Sequence, residues 1–225
     1  AERFMDMYWA REAEKAIGRL NPDEAQFIET LFWAPHAPLV APEPYYSMFD
    51  RDDIDLPETV GKWYDGQPAT LLTHIPGHYG AMLQRDQWRE PWGVYLGMVK
   101  LVDEALGRVI RALKRRGLWD EALVIFMTDH GEMLGSHSLF QKMCMYEDAA
   151  HVPLLVKPPG GRRVERAGSL VSHLDIAATI CEYLDLPALP ETDGVSLAAL
   201  LEGKAEAVRE QVFIEFNGNS GRGFE

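Results

Sequence analysis

The clearest hydrophobic pattern in this chain has the period of a helix. Along residues 92–116, apolar side chains return every three or four positions and form one face. Gly117 follows the last turn, in the usual place for a glycine that ends a helix. Residues 4–20 have a looser helical spacing, which the following Asn-Pro sequence interrupts. The pattern therefore predicts one long helix and one shorter helix.

Short apolar runs between the helical segments predict strands. Residues 121–128, EALVIFMT, and residues 152–156, VPLLV, have the pattern of central parallel strands that are covered on both faces. Residues 26–34 alternate like a strand, residues 211–216 are a last strand candidate, and residues 174–184 have helical spacing. The alternation of helices and buried strands predicts an α/β fold with a mainly parallel sheet flanked by helices.

Irregular sequence separates the two halves of this pattern. Residues 34–46, APHAPLVAPEPYY, contain four prolines, which exclude regular structure and leave a stiff loop. Residues 48–91 have no clean period and predict a long excursion of turns and short helices, which we expect near the entrance of an active site. The length of the chain predicts one domain or one domain with a small appendage, and since no internal repeat appears we expect residues 1–225 to form a single domain.

Composition and charge restrict the classes of function. The chain has no run of eighteen apolar residues and no secretory signal pattern, so we predict no membrane contact, and the sequence leaves localisation open. A net charge of -13 argues against a nucleic-acid partner, because it repels phosphate backbones. The basic run RALKRRG is interpreted as a solvated helix end. Cys144 and Cys181 have neither disulfide nor zinc spacing and are interpreted as core thiols.

A candidate metal site follows the first apolar run. Asp129 and His130 come directly after the predicted strand, where ligand sites collect in α/β sheets. Their carboxylate and imidazole could bind one divalent ion if Gly131 lets the backbone turn sharply. The alternative is a helix N-cap formed by Asp129, with a partly exposed histidine beside it.

Three further side chains are candidates for binding an anion. Lys142 lies among apolar residues and could be a point charge for an anionic group, or a lysine that reaches the surface from a helix flank. His36, between two prolines, could donate to a substrate oxygen or protonate a leaving group, or could be an inert loop histidine. His137 could be a supporting hydrogen-bond donor or an ordinary surface histidine.

Taken together, these segments resemble the sulfatase family of the alkaline phosphatase superfamily. The motifs are PHAP at 35–38, TDHGE at 128–132, Gly-Ser-His at 135–137, a lysine twelve residues after His130, VPLL, PPG, and the downstream SHLDIAATICEYLDLP and DGVSLAALLEG. The resemblance covers residues 27–216 and implies an alkaline phosphatase-like fold, incomplete at its amino end. It identifies Asp129 and His130 as metal ligands, and His36 and Lys142 as catalytic residues that bind the oxygens of a sulfate or phosphate. His137 would bind substrate.

The resemblance also implies cofactors and a substrate class. We expect a divalent metal, calcium before manganese or magnesium, and a substrate that is an anionic small-molecule or glycan sulfate ester. Phosphonate monoester or phosphodiester hydrolysis is the alternative within the superfamily. A homo-oligomer is also possible, because a sheet that lacks strands leaves an edge open for pairing.

One motif of the family is absent from this sequence. The formylglycine nucleophile is made from the Cys or Ser of a Cys/Ser-x-Pro-x-Arg motif, which a pair of metal-binding aspartates precedes. Neither cysteine here lies in such a motif, because Cys144 precedes MYEDA and Cys181 precedes EYLDL. The sequence therefore predicts the carboxyl-side part of a longer catalytic domain that is inactive alone. A non-catalytic module that keeps the fold remains the third interpretation.

Overall fold

The computed structural model describes residues 2, 4–73, 75–161 and 168–215. Its elements are, in chain order, α1 (Met5–Gly18), α2 (Thr70–Thr73), α3 (Ile75–Gly80), a 3₁₀ turn (Arg85–Trp88), α4 (Arg89–Arg115), β1 (Val124–Met127), α5 (Glu147–Ala150), β2 (Leu154–Lys157), a second 3₁₀ turn (Pro159–Gly161), α6 (Leu174–Tyr183) and α7 (Ala198–Leu201). None of the helices in these ranges is long and apolar enough to cross a membrane.

Helices α1 and α4 pack against each other and form the frame of the structure. Ala10 and Ala105 are fully buried in the cluster between them, where their small side chains let the helices approach closely. Both helices confirm the predictions from the hydrophobic period. Gly117 has a φ of 69° after the end of α4, which is the left-handed conformation that glycine adopts without strain.

The basic run at the end of α4 confirms the interpretation as a helix end. Lys114 and Arg115 lie in the last turn, where cations complement the helix dipole. Arg115 forms an ion pair with Glu14 of α1 at 3.0 Å, and Arg116 donates a hydrogen bond to the carbonyl oxygen of Leu20 at 2.8 Å. These cations therefore support the contact between α1 and α4.

The expected mainly parallel sheet is not confirmed. Within the described residues there is one sheet, in which β1 and β2 pair antiparallel with Met127 opposite Leu154. The residues of β1 are half-buried, and Leu155 of β2 is 61% exposed, so neither strand is covered on both faces. A run of apolar residues indicates that a strand is buried, but it does not indicate whether the neighbouring strand is parallel or antiparallel. That direction depends on where the connecting chain returns.

The connection between the two strands returns to the end at which β1 stops. The N–H of Gly131 donates to the carbonyl oxygen of Ala149 at 2.8 Å, and the N–H of Glu132 donates to that of Asp148 at 2.9 Å. These bonds fold residues 128–153 back on themselves, so β2 begins beside the end of β1. The connection therefore carries Asp129, His130, His137 and Lys142 as one compact unit.

Two other strand predictions were wrong. Residues 26–34 and 211–215 contain no strand, and Phe216 lies outside the described residues. Phe27 is 65% exposed and Phe213 is 85% exposed, so these residues have no apolar surface to cover them. Alternation of apolar residues forms a strand only when a neighbour accepts its hydrogen bonds, and neither segment has one among the described strands.

The predicted excursion at 48–91 contains turns, α2, α3 and a 3₁₀ turn, and its last residues begin α4. Its position near the entrance of an active site stays a prediction. Backbone hydrogen bonds join residues of this excursion to the connection between β1 and β2. Val60 forms an isolated bridge with Ser136, and the N–H of Gly61 donates to the carbonyl oxygen of Gly135 at 2.8 Å. The proline loop that follows residue 33 packs on α4 through Ala34, which lies against Val94 and Met98.

Candidate functional site

The structure brings His36, Lys142 and His130 together from distant parts of the sequence. The Nζ atom of Lys142 lies 2.5 Å from Nε2 of His36, although the two residues are 106 positions apart. The rings of His36 and His130 meet edge to face, with 5.6 Å between their centroids. Asp129 is the neighbour of His130 and is joined to it by a hydrogen bond of 3.0 Å. Four of the five predicted site residues therefore lie close together, and only His137 lies apart.

The contacts of His36 fix which of its nitrogens carries the proton. A lysine ammonium group can only donate, so Nε2 of His36 accepts the hydrogen bond from Lys142. On the other side of the ring, Nδ1 lies 2.6 Å from the carbonyl oxygen of Ala37, which can only accept, so Nδ1 carries the hydrogen. The pair consists of a neutral imidazole and one positive charge, which suits an anionic oxygen.

The contacts of His130 leave its other nitrogen available. Its Nδ1 lies 2.8 Å from the carbonyl oxygen of Gly131 and donates to it, which leaves the lone pair on Nε2. That Nε2 lies 3.7 Å from Oδ2 of Asp129, whose side chain is 86% exposed. An imidazole nitrogen and a carboxylate oxygen therefore face the same small space.

The alternatives for these residues fail on secondary structure. The described residues that directly follow Asp129 form no helix, so its carboxylate does not cap one, and it accepts instead from the N–H of His130. Lys142 lies on no helix and is half-buried against His36. The structure therefore removes both simpler interpretations without assigning a role to either residue.

The donors that face the site fit a divalent metal in kind but not in number. A carboxylate oxygen and an imidazole nitrogen are ordinary ligands for calcium-like and transition-metal ions respectively. Across the described ranges, however, no group of three His, Cys, Asp or Glu residues is arranged to hold a metal ion. Two protein ligands do not make a tight site.

Glu132 is a half-buried acid beside this cluster. Burial raises the pKa of its carboxyl group, while hydrogen bonds from the N–H groups of Leu134 and Gln141 and the charges of Lys142 and His130 lower it. Its Oε1 accepts from Leu134 at 3.2 Å and from Gln141 at 2.5 Å. Glu132 thus ties the two ends of residues 132–141 together, next to Lys142. In the sequence, the only indication that Glu132 belongs to the site is its position between His130 and His137.

His137 lies apart from the contacts of His36 and Lys142. Its ring stacks on Tyr146 with 4.1 Å between centroids and an interplanar angle of 7°, and Tyr64 lies 5.3 Å from it. Its Nδ1 atom is buried and has no hydrogen-bond partner in the described part of the chain. Its backbone is held by Thr59 at 3.0 Å and Gln67 at 3.3 Å, both from the excursion. The sequence did not predict this aromatic setting, and the proposed substrate contact stays a prediction.

Comparison with known proteins places this chain in a family. The family model described as Sulfatase matches residues 3–186. The multifunctional alkaline phosphatase superfamily protein PehA of Trinickia caryophylli is 31% identical and aligns with 91% of this chain and 43% of its own length. An arylsulfatase of Clostridium perfringens is 26% identical and aligns with 87% of this chain and 41% of its own length.

Solved structures give the same result for the fold. The phosphonate monoester hydrolase SpPMH from Silicibacter pomeroyi superposes with a TM-score of 0.76 at 28% identity, over 91% of this chain and 42% of its own. The fold is therefore that of these alkaline phosphatase-like enzymes. The chain spans about two fifths of the length of each of these proteins.

Proposed function

The chain belongs to the sulfatase family, and from that premise we propose that it is the carboxyl-side part of a catalytic domain that hydrolyses sulfate esters. One observation carries the proposal. The ammonium group of Lys142 lies 2.5 Å from Nε2 of His36, whose ring packs on His130, and it keeps N–H bonds that can donate to a tetrahedral oxyanion. Such a preorganised cationic donor stabilises the charge that develops when an ester oxygen departs.

The proposed roles follow from the atoms that remain free. Lys142 has two further N–H bonds beyond the one that it gives to His36, and these would bind peripheral oxygens of the substrate. His36 would receive a proton at Nε2 from Lys142 or from solvent and donate it to the departing alcohol oxygen. Asp129 and His130 would complete the ligand set of a divalent ion, calcium before manganese or magnesium, which would act as a Lewis acid.

The nucleophile and the remaining ligands would come from outside this sequence. No Cys/Ser-x-Pro-x-Arg motif occurs in the chain, and two metal donors are too few for a hydrolytic site. We therefore propose that formylglycine and further acidic ligands belong to another segment of the working enzyme. A module that keeps the fold without chemistry would lack that motif in its complete coding sequence as well.

Phosphonate monoester or phosphodiester hydrolysis is the second candidate. The likeness to a phosphonate monoester hydrolase at 28% identity favours it, and so does the similarity to a superfamily protein whose name describes it as multifunctional. Sulfate monoesters and phosphonate monoesters both present singly charged tetrahedral oxyanions. His36 and Lys142 would therefore bind either substrate, and the alcohol would be selected by other residues.

Binding of inorganic sulfate tests the proposed oxyanion site. Sulfate should shift the ring signals of His36 in NMR spectra, and Lys142→Met should weaken its binding about 10- to 100-fold, the range expected for a charged hydrogen bond. Lys100→Met is the matched control, because Lys100 is an exposed lysine of α4 that is paired with Asp103. Sulfate affinity that Lys142→Met leaves unchanged would contradict the proposal.

A further inference from the structure

A buried acid far from the site in sequence holds the backbone just before His36. Asp6 lies in the first turn of α1 and is 0% exposed. Its Oδ1 atom accepts hydrogen bonds from the N–H of Trp33 at 2.6 Å and from the N–H of Ala34 at 3.0 Å. An acid in the first turn complements the helix dipole, but an exposed carboxylate would do so without the large cost of burial. Its burial therefore calls for another explanation.

The two hydrogen bonds continue directly to His36. The carbonyl oxygen of Trp33, whose N–H binds Asp6, accepts from the N–H of His36 at 3.0 Å. The ring of Trp33 also packs against the ring of His36, with 5.0 Å between centroids. Trp33 is thus fixed at its N–H by Asp6, and it fixes His36 through both its carbonyl and its ring.

The neighbouring residue fixes the loop on the other side. Ala34 is 6% exposed and packs with Val94 and Met98 of α4, while its N–H is the second donor to Asp6. Asp6 therefore joins α1 to a loop that already lies on α4. Residues 26–34 form no strand, so side-chain acceptors replace the sheet hydrogen bonds that would otherwise hold this segment.

We propose that Asp6 is a positioning residue whose buried carboxylate aims His36 at Lys142. The importance of this ring orientation for catalysis rests on the proposed function. The orientation of the His36 ring itself is a property of the protein without ligand. Charge-assisted bonds from two consecutive N–H groups to one oxygen fix both the position and the orientation of the loop. Without them the loop turns, and Nε2 of His36 leaves the 2.5 Å contact with Lys142.

NMR signals of the His36 ring test the proposal without any ligand. Asp6→Ala should remove the chemical-shift signature of a hydrogen bond accepted at Nε2, and it should lower sulfate affinity on the order of 10-fold through misplacement of the ring. Asp6→Asn keeps an oxygen that can accept both N–H groups, so it should retain the His36 signature. An Asp6→Ala protein that is folded and keeps the wild-type His36 signals would overturn the proposal, as would an Asn variant that loses them.

Asp175→Ala separates positioning from general loss of stability. Asp175 is also 0% exposed, and it accepts from the N–H groups of Ser172 at 2.7 Å and Val195 at 2.8 Å. Both alanine variants should lower the melting temperature, but only the change at Asp6 should move the His36 signals. Equal movement of those signals in the Asp175 variant would show that the effect is not specific to Asp6 and would overturn the proposal.

Amide hydrogen exchange in the wild-type protein tests the role of Asp6 even if the Asp6→Ala variant does not fold. The N–H groups of Trp33 and Ala34 should exchange slowly although they lie in irregular backbone, because a buried carboxylate accepts them. Exchange as fast as in an unprotected loop would refute the role of Asp6. If sulfate does not bind the wild-type protein, the proposed function is contradicted. The NMR signals of His36 in the ligand-free protein would still test the role of Asp6.

Discussion

At the scale of single residues, the site is defined by which nitrogen of each histidine is free. Backbone carbonyls hold the Nδ1 atoms of both His36 and His130, so both Nε2 atoms point toward the shared space. One meets Lys142 and the other meets Asp129. The first arrangement suits an anion and the second suits a cation, and the two rings touch. The proposed metal ion and the proposed oxyanion would therefore lie side by side.

The proposed metal half of the site should bind ions weakly. Mn²⁺ should broaden the NMR signals of His130 only at about millimolar concentration or above, because two protein ligands leave most of the coordination shell to water. Asp129→Asn should abolish the broadening at His130. Glu147→Gln is the control, since Glu147 forms an exposed pair with His151 at 3.0 Å and should not affect His130. Micromolar binding at His130 would show that this chain holds a complete site.

The residue types were predictable from the sequence, but their contacts were not. Asp129, His130 and Lys142 follow one strand within a short segment, so local spacing indicated them. The contact between His36 and Lys142 spans 106 positions, and no local pattern encodes it. The stacking of Tyr146 on His137 was not predictable, because it depends on how the connection folds.

At the scale of elements, the connection between β1 and β2 depends on one glycine. The sequence predicted that Gly131 lets the backbone turn sharply, and the φ of Gly131 lies outside the left-handed region that favours glycine. A Cβ atom at this position would lie 1.9 Å from the carbonyl oxygen of Asp148, because the two sides of the connection approach closely here. The fold therefore needs a glycine for close approach of the backbone.

Gly131→Ala should lower the stability and disturb the site together. The added methyl group clashes with backbone, so we expect a loss of about 2 kcal/mol or more in the free energy of unfolding, measured by urea denaturation. Gly107→Ala in α4 is the matched control. Its Cβ would meet only the flexible end of Arg111 at 3.1 Å, so it should stabilise the helix by about 0.5 to 1 kcal/mol. Equal effects of the two substitutions would contradict this account of Gly131.

The helices were easier to predict than the sheet. The boundaries of α1 and α4 lie within a few residues of those expected, because helical hydrogen bonds are local and the apolar period reports the buried face directly. Pairing of β1 with β2 is not local. Its antiparallel direction follows from the bonds of Gly131 and Glu132 that fold the connection back.

At the scale of the whole molecule, this chain should not catalyse hydrolysis alone. Neither an aryl sulfate nor an aryl phosphonate ester should be turned over in the presence of Ca²⁺ or Mn²⁺, because the sequence has no Cys/Ser-x-Pro-x-Arg motif to supply the activated nucleophile. A complete arylsulfatase assayed in parallel provides the positive control. Metal-dependent turnover that Lys142→Met abolishes would show that the chain holds its own nucleophile, and the proposed division of the site would be wrong.

The surface of the molecule also bears on its assembly. Large apolar side chains are exposed beside the sheet and in the segment before the proline loop, among them Leu155 at 61%, Phe27 at 65% and Leu31 at 72%. Apolar surface of this kind marks contact with other protein surfaces when it is contiguous. Pairing of this chain with further strands, from a longer chain or from a second copy, stays a prediction.

The sequence by itself determined the local features: the two main helices, the two short strands, the residues that carry chemistry, and the family resemblance that the comparisons confirmed. Each of these depends on a period or a spacing within a short segment. The tertiary structure alone decided the strand direction, the burial of Asp6 and the meeting of His36 with Lys142. These depend on contacts between segments far apart in the chain, where packing rather than local preference sets the geometry.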